Sequence, residues 1–349
     1  MQLAAAYENG SGVCKNSKKA FKWYELAAKQ GILEAQKKSA FMYFTGKGCG
    51  QDLEKSFELF QKAAEQGDTD SQYQVAEFYY YEAGLKDSSR KKKMQQFCET
   101  KRNEWGFVLY DSLIDDYNCD DICLENNKTW KQNMALAIEW YVKAADSDNA
   151  DAQFMLGKIY YTGNGCEQDF KRALELLKKA SNHNNERASL LLGLLYFEGK
   201  EIEKDFNKSY DYFSKIEDNE FAQLYLGHLF YDGLGVKQDF AKAKEWYEKA
   251  ASQGNIEAGN KLGLMYEKGL GTEQDFLKAF ECYKKNCIQY GSPKARGEAE
   301  FHLAEMYYYG RGIEQDYDWA LGCYNRAAEQ GYSAAVSALE KLKNKMQKE

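Results

Sequence analysis

The strongest constraint on the fold is an internal repeat that runs through most of the 349 residues. Similar segments open on an alanine or serine, mostly 36 residues after the previous one, at Ala35, Ser71, Ala152, Ala188, Ala222, Ala258, Ala299 and Ala335. This period is typical of solenoids, in which each repeat buries its apolar face against its neighbours. We therefore predict an array of about eight repeats.

Each repeat contains two helical patterns, which we call helix A and helix B. In helix A, small or apolar residues at positions 1, 5, 8 and 9 share one face, as do Ala152, Leu156, Ile159 and Tyr160. Position 6 is glycine or alanine, which lets a neighbouring helix approach closely. A glycine follows helix A and an aspartate precedes helix B, as expected for a C-terminal and an N-terminal cap.

The segment Ala222–Gly254 matches almost completely the pattern A-x-x-x-L-G-x-x-Y-x-x-G-x-G-V-x-x-D-x-x-K-A-x-x-W-Y-x-K-A-A-x-x-G. This pattern resembles the Sel1-like repeat, a relative of the tetratricopeptide repeat. The resemblance covers almost the whole chain. It implies an all-α fold, a right-handed α/α superhelix of about eight helix-turn-helix repeats that forms one solenoid over residues 1–349.

Three departures from the repeat pattern define the domain organisation that we predict. Ser71 and Ala152 lie 81 residues apart, so we place an insertion within the third repeat, at residues 85–130. Residues 336–349 are lysine-rich and predict a C-terminal capping helix. The first repeat begins inside helix A, so either the array begins abruptly or the chain is part of a longer protein.

Composition and charge exclude several classes of partner. The net charge of −7 argues against a broad nucleic-acid interface, which needs a basic surface. The sequence has no long uncharged apolar run and no signal-peptide pattern, so we expect neither a membrane span nor a signal peptide. The nine cysteines show no disulfide framework, which favours a reducing compartment, and we predict a cytoplasmic protein, with delivery into a host cell as the alternative.

Motifs that could carry chemistry are weak. The Gly-x-Gly turns, such as Gly163 and Gly165, follow a helix in most repeats, which indicates connectors and not phosphate-binding loops. The three histidines are scattered, and Cys119 and Cys123 lack a second ligand pair nearby. We expect no cofactor and no metal. Ser88 and Lys91 match a Ser-x-x-Lys motif, which keeps a penicillin-binding or β-lactamase-like enzyme as a remote alternative.

The informative surface is a second stripe on helix A, at positions 3, 7, 10 and 11, on the side away from the core positions. In tetratricopeptide-like superhelices this stripe lines the concave groove, and its tyrosines here are typical of protein-binding surfaces. We predict that the following residues bind a partner: Tyr73, Glu77, Tyr80, Tyr81, Phe154, Lys158, Tyr161, Phe197, His228, Tyr231, Asp232, Phe301, Glu305, Tyr308 and Tyr309.

We therefore predict a non-catalytic adaptor or scaffold that holds a protein or peptide partner in this groove. The resemblance is to a family common in bacteria. An alternative is an immunity protein, similar to an antitoxin, that neutralises a bacterial toxin through the same groove. The sequence does not indicate the oligomeric state.

Overall fold

The computed structural model describes residues 1–83, 128–199, 201–289 and 292–347. These residues form helices and no strand, which confirms the prediction of an all-α repeat fold. The helices are α1 (Gln2–Asn9), α2 (Ser17–Lys29), α3 (Leu33–Thr45), α4 (Leu53–Glu65), α5 (Thr69–Ala83), α6 (Lys128–Asp146), α7 (Ala150–Thr162), α8 (Phe170–Asn182), α9 (Glu186–Glu198), α10 (Phe206–Ser214), α11 (Glu220–Asp232), α12 (Phe240–Ser252), α13 (Ile256–Lys268), α14 (Phe276–Cys287), α15 (Pro293–Tyr309), α16 (Tyr317–Glu329) and α17 (Ser333–Met346).

The chain divides into two compact units, unit 1 (Met1–Ala188) and unit 2 (Ser189–Glu349). The predicted insertion at 85–130 lies outside the described residues, apart from the start of α6, and it stays a prediction. The last helix, α17, begins three residues before the predicted cap at 336–349.

Aspartate side chains start the B helices, as the sequence predicts. The carboxylate of Asp239, for example, accepts a hydrogen bond of 3.0 Å from the amide of Lys242 in the first turn of α12. The following aspartates cap the first turn of their helices in the same way: Asp52, Asp169, Asp205, Asp275 and Asp316. In the first repeat Asn16 replaces the aspartate and accepts from the amide of Lys19.

The small residue at position 6 of helix A makes room for a large side chain of helix B in the same repeat. A Cβ atom on Gly227 would lie 2.5 Å from the ring of Tyr247, a contact that no ordinary packing allows. A Cβ atom on Gly263 would lie 2.7 Å from the ring of Tyr283, and one on Gly193 would lie 2.5 Å from the ring of Phe213. The glycine therefore determines how closely the two helices of a repeat pack.

A candidate binding surface on the A helices

Buried tyrosines of the B helices donate their hydroxyl hydrogen bonds to polar side chains of the A helices. In unit 1, the hydroxyl of Tyr141 lies 2.6 Å from the carboxylate of Glu77. The same arrangement recurs in the pairs Tyr24–Glu8, Tyr283–Glu267 and Tyr324–Glu305. Burial, and then the nearby carboxylate, raises the pKa of Tyr141 well above its usual value, so the hydroxyl stays a neutral donor.

In unit 1 the structure buries four of the predicted site residues. Tyr73 and Phe154 lie in the core, and the charged side chains of Glu77 and Lys158 are buried as well. These four residues therefore support the surface from below and do not present it to a partner.

Three predicted tyrosines of unit 1 stay half-exposed. Tyr80 packs edge-to-face against Tyr81, with 5.8 Å between ring centroids, and also contacts the ring of Tyr141. Tyr161 packs against Phe170 at 5.6 Å. The exposed part of the predicted site in this unit is thus a small set of tyrosine rings held by other aromatic rings.

In unit 2 a first cluster surrounds His228 on α11. Its Nδ1 lies 2.8 Å from the hydroxyl of the buried Tyr247, and its Nε2 lies 3.6 Å from the carboxylate of Glu257. The nearby imidazole of His228 lowers the pKa of Glu257. Phe197 contacts the imidazole from one side, with ring centroids 6.5 Å apart.

Two further predicted residues of α11 lie at the helix end, after His228. Tyr231 is half-buried and packs edge-to-face on Phe240 at 5.3 Å. Asp232 is exposed. The first cluster of unit 2 therefore offers aromatic edges and a carboxylate on the same helix.

A second cluster of unit 2 lies at the end of α15. Tyr309 is 53% exposed, the highest value among the aromatic residues of the predicted site. Its ring packs edge-to-face on Tyr308 at 4.7 Å, and the guanidinium of Arg311 lies 4.6 Å from its centroid. Arg311 is held in turn by a 2.7 Å ion pair with Glu267. This arrangement holds an exposed aromatic ring in a defined position.

The remaining predicted residues of α15 connect this second cluster to the core. Phe301 is half-buried and packs on Tyr324 and Tyr332, with centroids 5.8 and 5.1 Å apart. Glu305 accepts the hydroxyl hydrogen bond of Tyr324. Both residues therefore fix α15 against α16 while Tyr309 stays accessible.

Three further residues belong to this surface, although they are not among the residues predicted from the sequence. The ring of Tyr225 on α11 contacts the rings of Phe197 and His228. The imidazole of His302 on α15 stacks on the ring of Tyr283, with 4.9 Å between ring centroids. Both occupy position 4 of helix A. Because residues three apart lie on the same face of a helix, their spacing from position 7 is a sequence signal that could have identified them. Burial lowers the pKa of His302, which keeps its ring neutral. Arg311 lies in the turn after α15, where no helical pattern points to it.

No group of three or more potential metal ligands is found in the described part of the chain. Cys282 and Cys287 of α14 and Cys323 of α16 pack against apolar neighbours. Ser88, Lys91, Cys119 and Cys123 lie outside the described residues. None of the described helices is long and apolar enough to cross a membrane.

Comparison with known proteins places this repeat in a family. No curated protein matches the chain significantly. Among solved structures, a Sel1 repeat protein from Oxalobacter formigenes is 29% identical, with a TM-score of 0.54 over 62% of this chain and 84% of that one. The antigen c5321 of uropathogenic Escherichia coli, described as having an SLR fold, is 26% identical, with a TM-score of 0.42 over 99% of this chain and 79% of that one. The immunity protein Pa5087 of Pseudomonas aeruginosa is 21% identical, with a TM-score of 0.34 over 56% and 73% of the two chains.

The family model of the Sel1 repeat matches nine segments of the sequence: residues 1–32, 33–68, 69–92, 131–149, 150–185, 187–218, 221–255, 256–287 and 297–332. The segments 69–92 and 131–149 correspond to α5 and α6, which pack together through Glu77 and Tyr141. The matches extend over most of the sequence, and the chain therefore belongs to the Sel1 repeat family.

Proposed function

We propose that this chain is a non-catalytic scaffold that binds a protein or peptide partner on the A-helix surface, with Tyr309 and its neighbours in unit 2 as a main contact. Sel1 repeat proteins usually mediate protein–protein interactions and are generally non-catalytic. The observation that supports the proposal best is the exposed ring of Tyr309, held between Tyr308 and Arg311.

A ring held in this way suits binding because its side chain has little conformational freedom left to lose when a partner binds. Immobilising a flexible side chain at an interface costs about 0.5–1.5 kcal/mol, and a ring that is already packed avoids most of that cost. Tyrosine and arginine are also enriched at the energetically important centres of protein interfaces. Glu267, which anchors Arg311, itself accepts from the buried Tyr283, so the contact rests on the core of the repeat.

The proposal is tested by photo-crosslinking in the source cells. A photoreactive phenylalanine analogue replaces Tyr309 in the full chain, and the same analogue replaces Trp319 on the B helix α16 as a matched control. Both side chains are more than half exposed, at 53% and 57%. We expect crosslinked partners at position 309 that are not found at position 319.

The variants Tyr309→Ala and Arg311→Ala should lose the same partners in affinity capture, while Trp319→Ala should retain them. Identical partner sets at positions 309 and 319 would refute the A-helix surface as the binding site. A single partner of high affinity, with no weaker partners beside it, would favour the immunity alternative over the adaptor.

A further inference from the structure

The repeat formed by α15 and α16 departs from the others at one exposed place on helix B. In six other repeats, the third residue after the capping residue is a cation that lies over the aromatic ring at position 9 of helix A, 4.5 to 5.5 Å from its centroid. These cations are Lys19, Lys55, Arg172, Lys208, Lys242 and Lys278, and the third repeat has Leu136 there. On α16 the same place holds Trp319, which stacks on Tyr307 with centroids 5.8 Å apart and 18° between the rings.

The exposure of Trp319 is a property of this place in the repeat. Trp319 is 57% exposed. Three of its counterparts have further repeats after them and are exposed to a similar extent, namely Lys55 at 59%, Lys208 at 55% and Lys278 at 60%. One turn after Trp319, a Cβ atom on Gly322 would have its nearest contact with the end of the Arg326 side chain, at 3.6 Å. One face of the indole therefore packs on Tyr307, and the ring stays accessible to a partner.

The change from a cation to Trp319 also removes an ion pair. In three other repeats, one oxygen of the capping aspartate accepts from the helix amide and the second oxygen, Oδ2, pairs with the lysine three residues on. These pairs are Asp52–Lys55 at 2.8 Å, Asp205–Lys208 at 2.8 Å and Asp275–Lys278 at 3.3 Å. On α16, Oδ1 of Asp316 accepts from the amides of Asp318 and Trp319 at 3.0 and 2.9 Å. Among the residues that the structure describes, none forms an ion pair with Asp316 or Asp318.

Four cations of this region have other partners. They are Arg311 with Glu267 at 2.7 Å, Arg326 with Glu300 at 2.9 Å, Lys345 with the hydroxyl of Tyr317 at 2.6 Å, and Lys284 over the ring of Phe280 at 5.7 Å. The start of α16 therefore combines an accessible indole with two carboxylates whose charges no ion pair compensates.

We propose that Trp319 and Asp316 bind an arginine side chain of a partner protein, with the guanidinium stacked on the indole and paired with the carboxylate. Residues three apart are neighbours on a helix surface, so one side chain can reach both. Tryptophan is the best aromatic ring for a cation, and the planar guanidinium suits both the ring and a carboxylate. The other repeats support the same occupant, because their own cations lie at this place.

This surface is distinct from the one around Tyr309. Tyr307, which supports Trp319, and Tyr309 are two residues apart on α15, and at 3.6 residues per turn they point to nearly opposite sides of the helix. A partner that binds at Trp319 would therefore differ from those captured at Tyr309. The two proposals are tested by separate measurements, and the failure of one leaves the other standing.

The test uses the full chain and two capped tripeptides, glycine–arginine–glycine and its citrulline analogue, which has a similar size and no charge. NMR follows the side-chain protons of each peptide as protein is added. At low salt we expect the arginine peptide to bind at least about fivefold more tightly than the citrulline peptide, and we expect salt to reduce the difference. Its side-chain signals should move upfield, because protons over the face of an aromatic ring are shielded.

Two variants separate the ring from the carboxylate. Trp319→Lys, which restores the residue type of the other repeats, should abolish the upfield shift and weaken binding about fivefold or more. Asp316→Asn retains an oxygen for the helix cap and should weaken binding while circular dichroism stays unchanged. The matched control is Asp239→Asn on α12, where Lys242 already lies over Phe230, and it should bind the arginine peptide like the unmodified chain.

Equal binding of the two peptides, or full binding by Trp319→Lys, overturns the proposal. Dimerisation of the unmodified chain that Trp319→Lys abolishes would assign the indole to a second copy. Binding to neutral lipid vesicles that the same variant abolishes would assign it to a membrane surface. Either of these results also overturns the proposal.

Discussion

The hydroxyl of Tyr141 donates a 2.6 Å hydrogen bond to the carboxylate of Glu77, and both side chains are buried. The bond joins α5 to α6. These two helices come before and after residues 84–127, which lie outside the described residues. It is also the buried counterpart of the tyrosine–carboxylate pairs that underlie the A-helix surface in unit 2. One contact therefore contributes both to the integrity of the third repeat and to the support of the candidate site.

Removing the donor of this pair should destabilise the protein. Tyr141→Phe leaves a buried carboxylate without one of its hydrogen bonds, at a cost of about 1–3 kcal/mol in the free energy of unfolding. The shift of the urea midpoint measures it. Tyr309→Phe, which removes a hydroxyl from an exposed ring, is the control and should leave the midpoint unchanged. Equal midpoints for the two variants would show that the buried hydrogen bond contributes no net stability.

Two glycine-to-alanine changes should act in opposite directions. In Gly227→Ala the new Cβ meets the ring of Tyr247 at 2.5 Å, and we expect a loss of about 1–3 kcal/mol from overpacking. In Gly322→Ala on α16 the nearest contact is the end of the Arg326 side chain at 3.6 Å, so higher helix propensity should add about 0.5–1 kcal/mol. Thermal unfolding followed by circular dichroism compares them, and stabilisation by Gly227→Ala would contradict the packing that we describe.

Replacing the side chain that caps a helix should lower the free energy of unfolding, because the hydrogen bond of the cap is lost. Asp239→Ala removes the acceptor for the amide of Lys242 and should reduce the free energy of unfolding by about 0.5–2 kcal/mol. Asp239→Asn retains an oxygen at the same place and should recover most of this loss. Urea denaturation of the two variants tests the cap, and a loss of the same size in both would point to the charge of Asp239 instead of its hydrogen bond.

The array should lose stability at alkaline pH. Burial, aided by the charge of Glu248, raises the pKa of Tyr266 to about 12, and burial raises the pKa values of Tyr247 and Tyr283 further. In the unfolded chain these hydroxyls lose their protons near pH 10, so the folded state retains protons that the unfolded state releases. Their contribution is complete below about pH 10 and decreases as the pH rises towards the folded-state values.

Tyrosinate absorbance and helical circular dichroism, recorded together during an alkaline titration, measure this effect. We expect one group of tyrosines to ionise near the usual pH and a second group to ionise only as helix is lost. Tyr247→Phe should make the loss of stability with rising pH less steep. Ionisation of all tyrosines near the usual pH, with helix retained, would contradict the prediction.

The sequence was sufficient for the repeat and for the caps, but not for every helix boundary: α6 begins inside the predicted insertion and α17 begins three residues before the predicted capping helix. Asp239 at the start of α12 and Gly163 after α7 are local signals, because a cap depends on the residues of one turn. The small residue at position 6 was also predicted to allow a close approach, although only the structure shows that the side chain which fills the space is a ring of helix B, as with Tyr247 over Gly227.

Exposure of the candidate site was decided by the tertiary structure. Tyr73 and Tyr309 belong to the same helical stripe, yet Tyr73 is buried while Tyr309 is more than half exposed. The period of a helix determines which residues share a face, but the neighbouring helices determine how much of that face they cover.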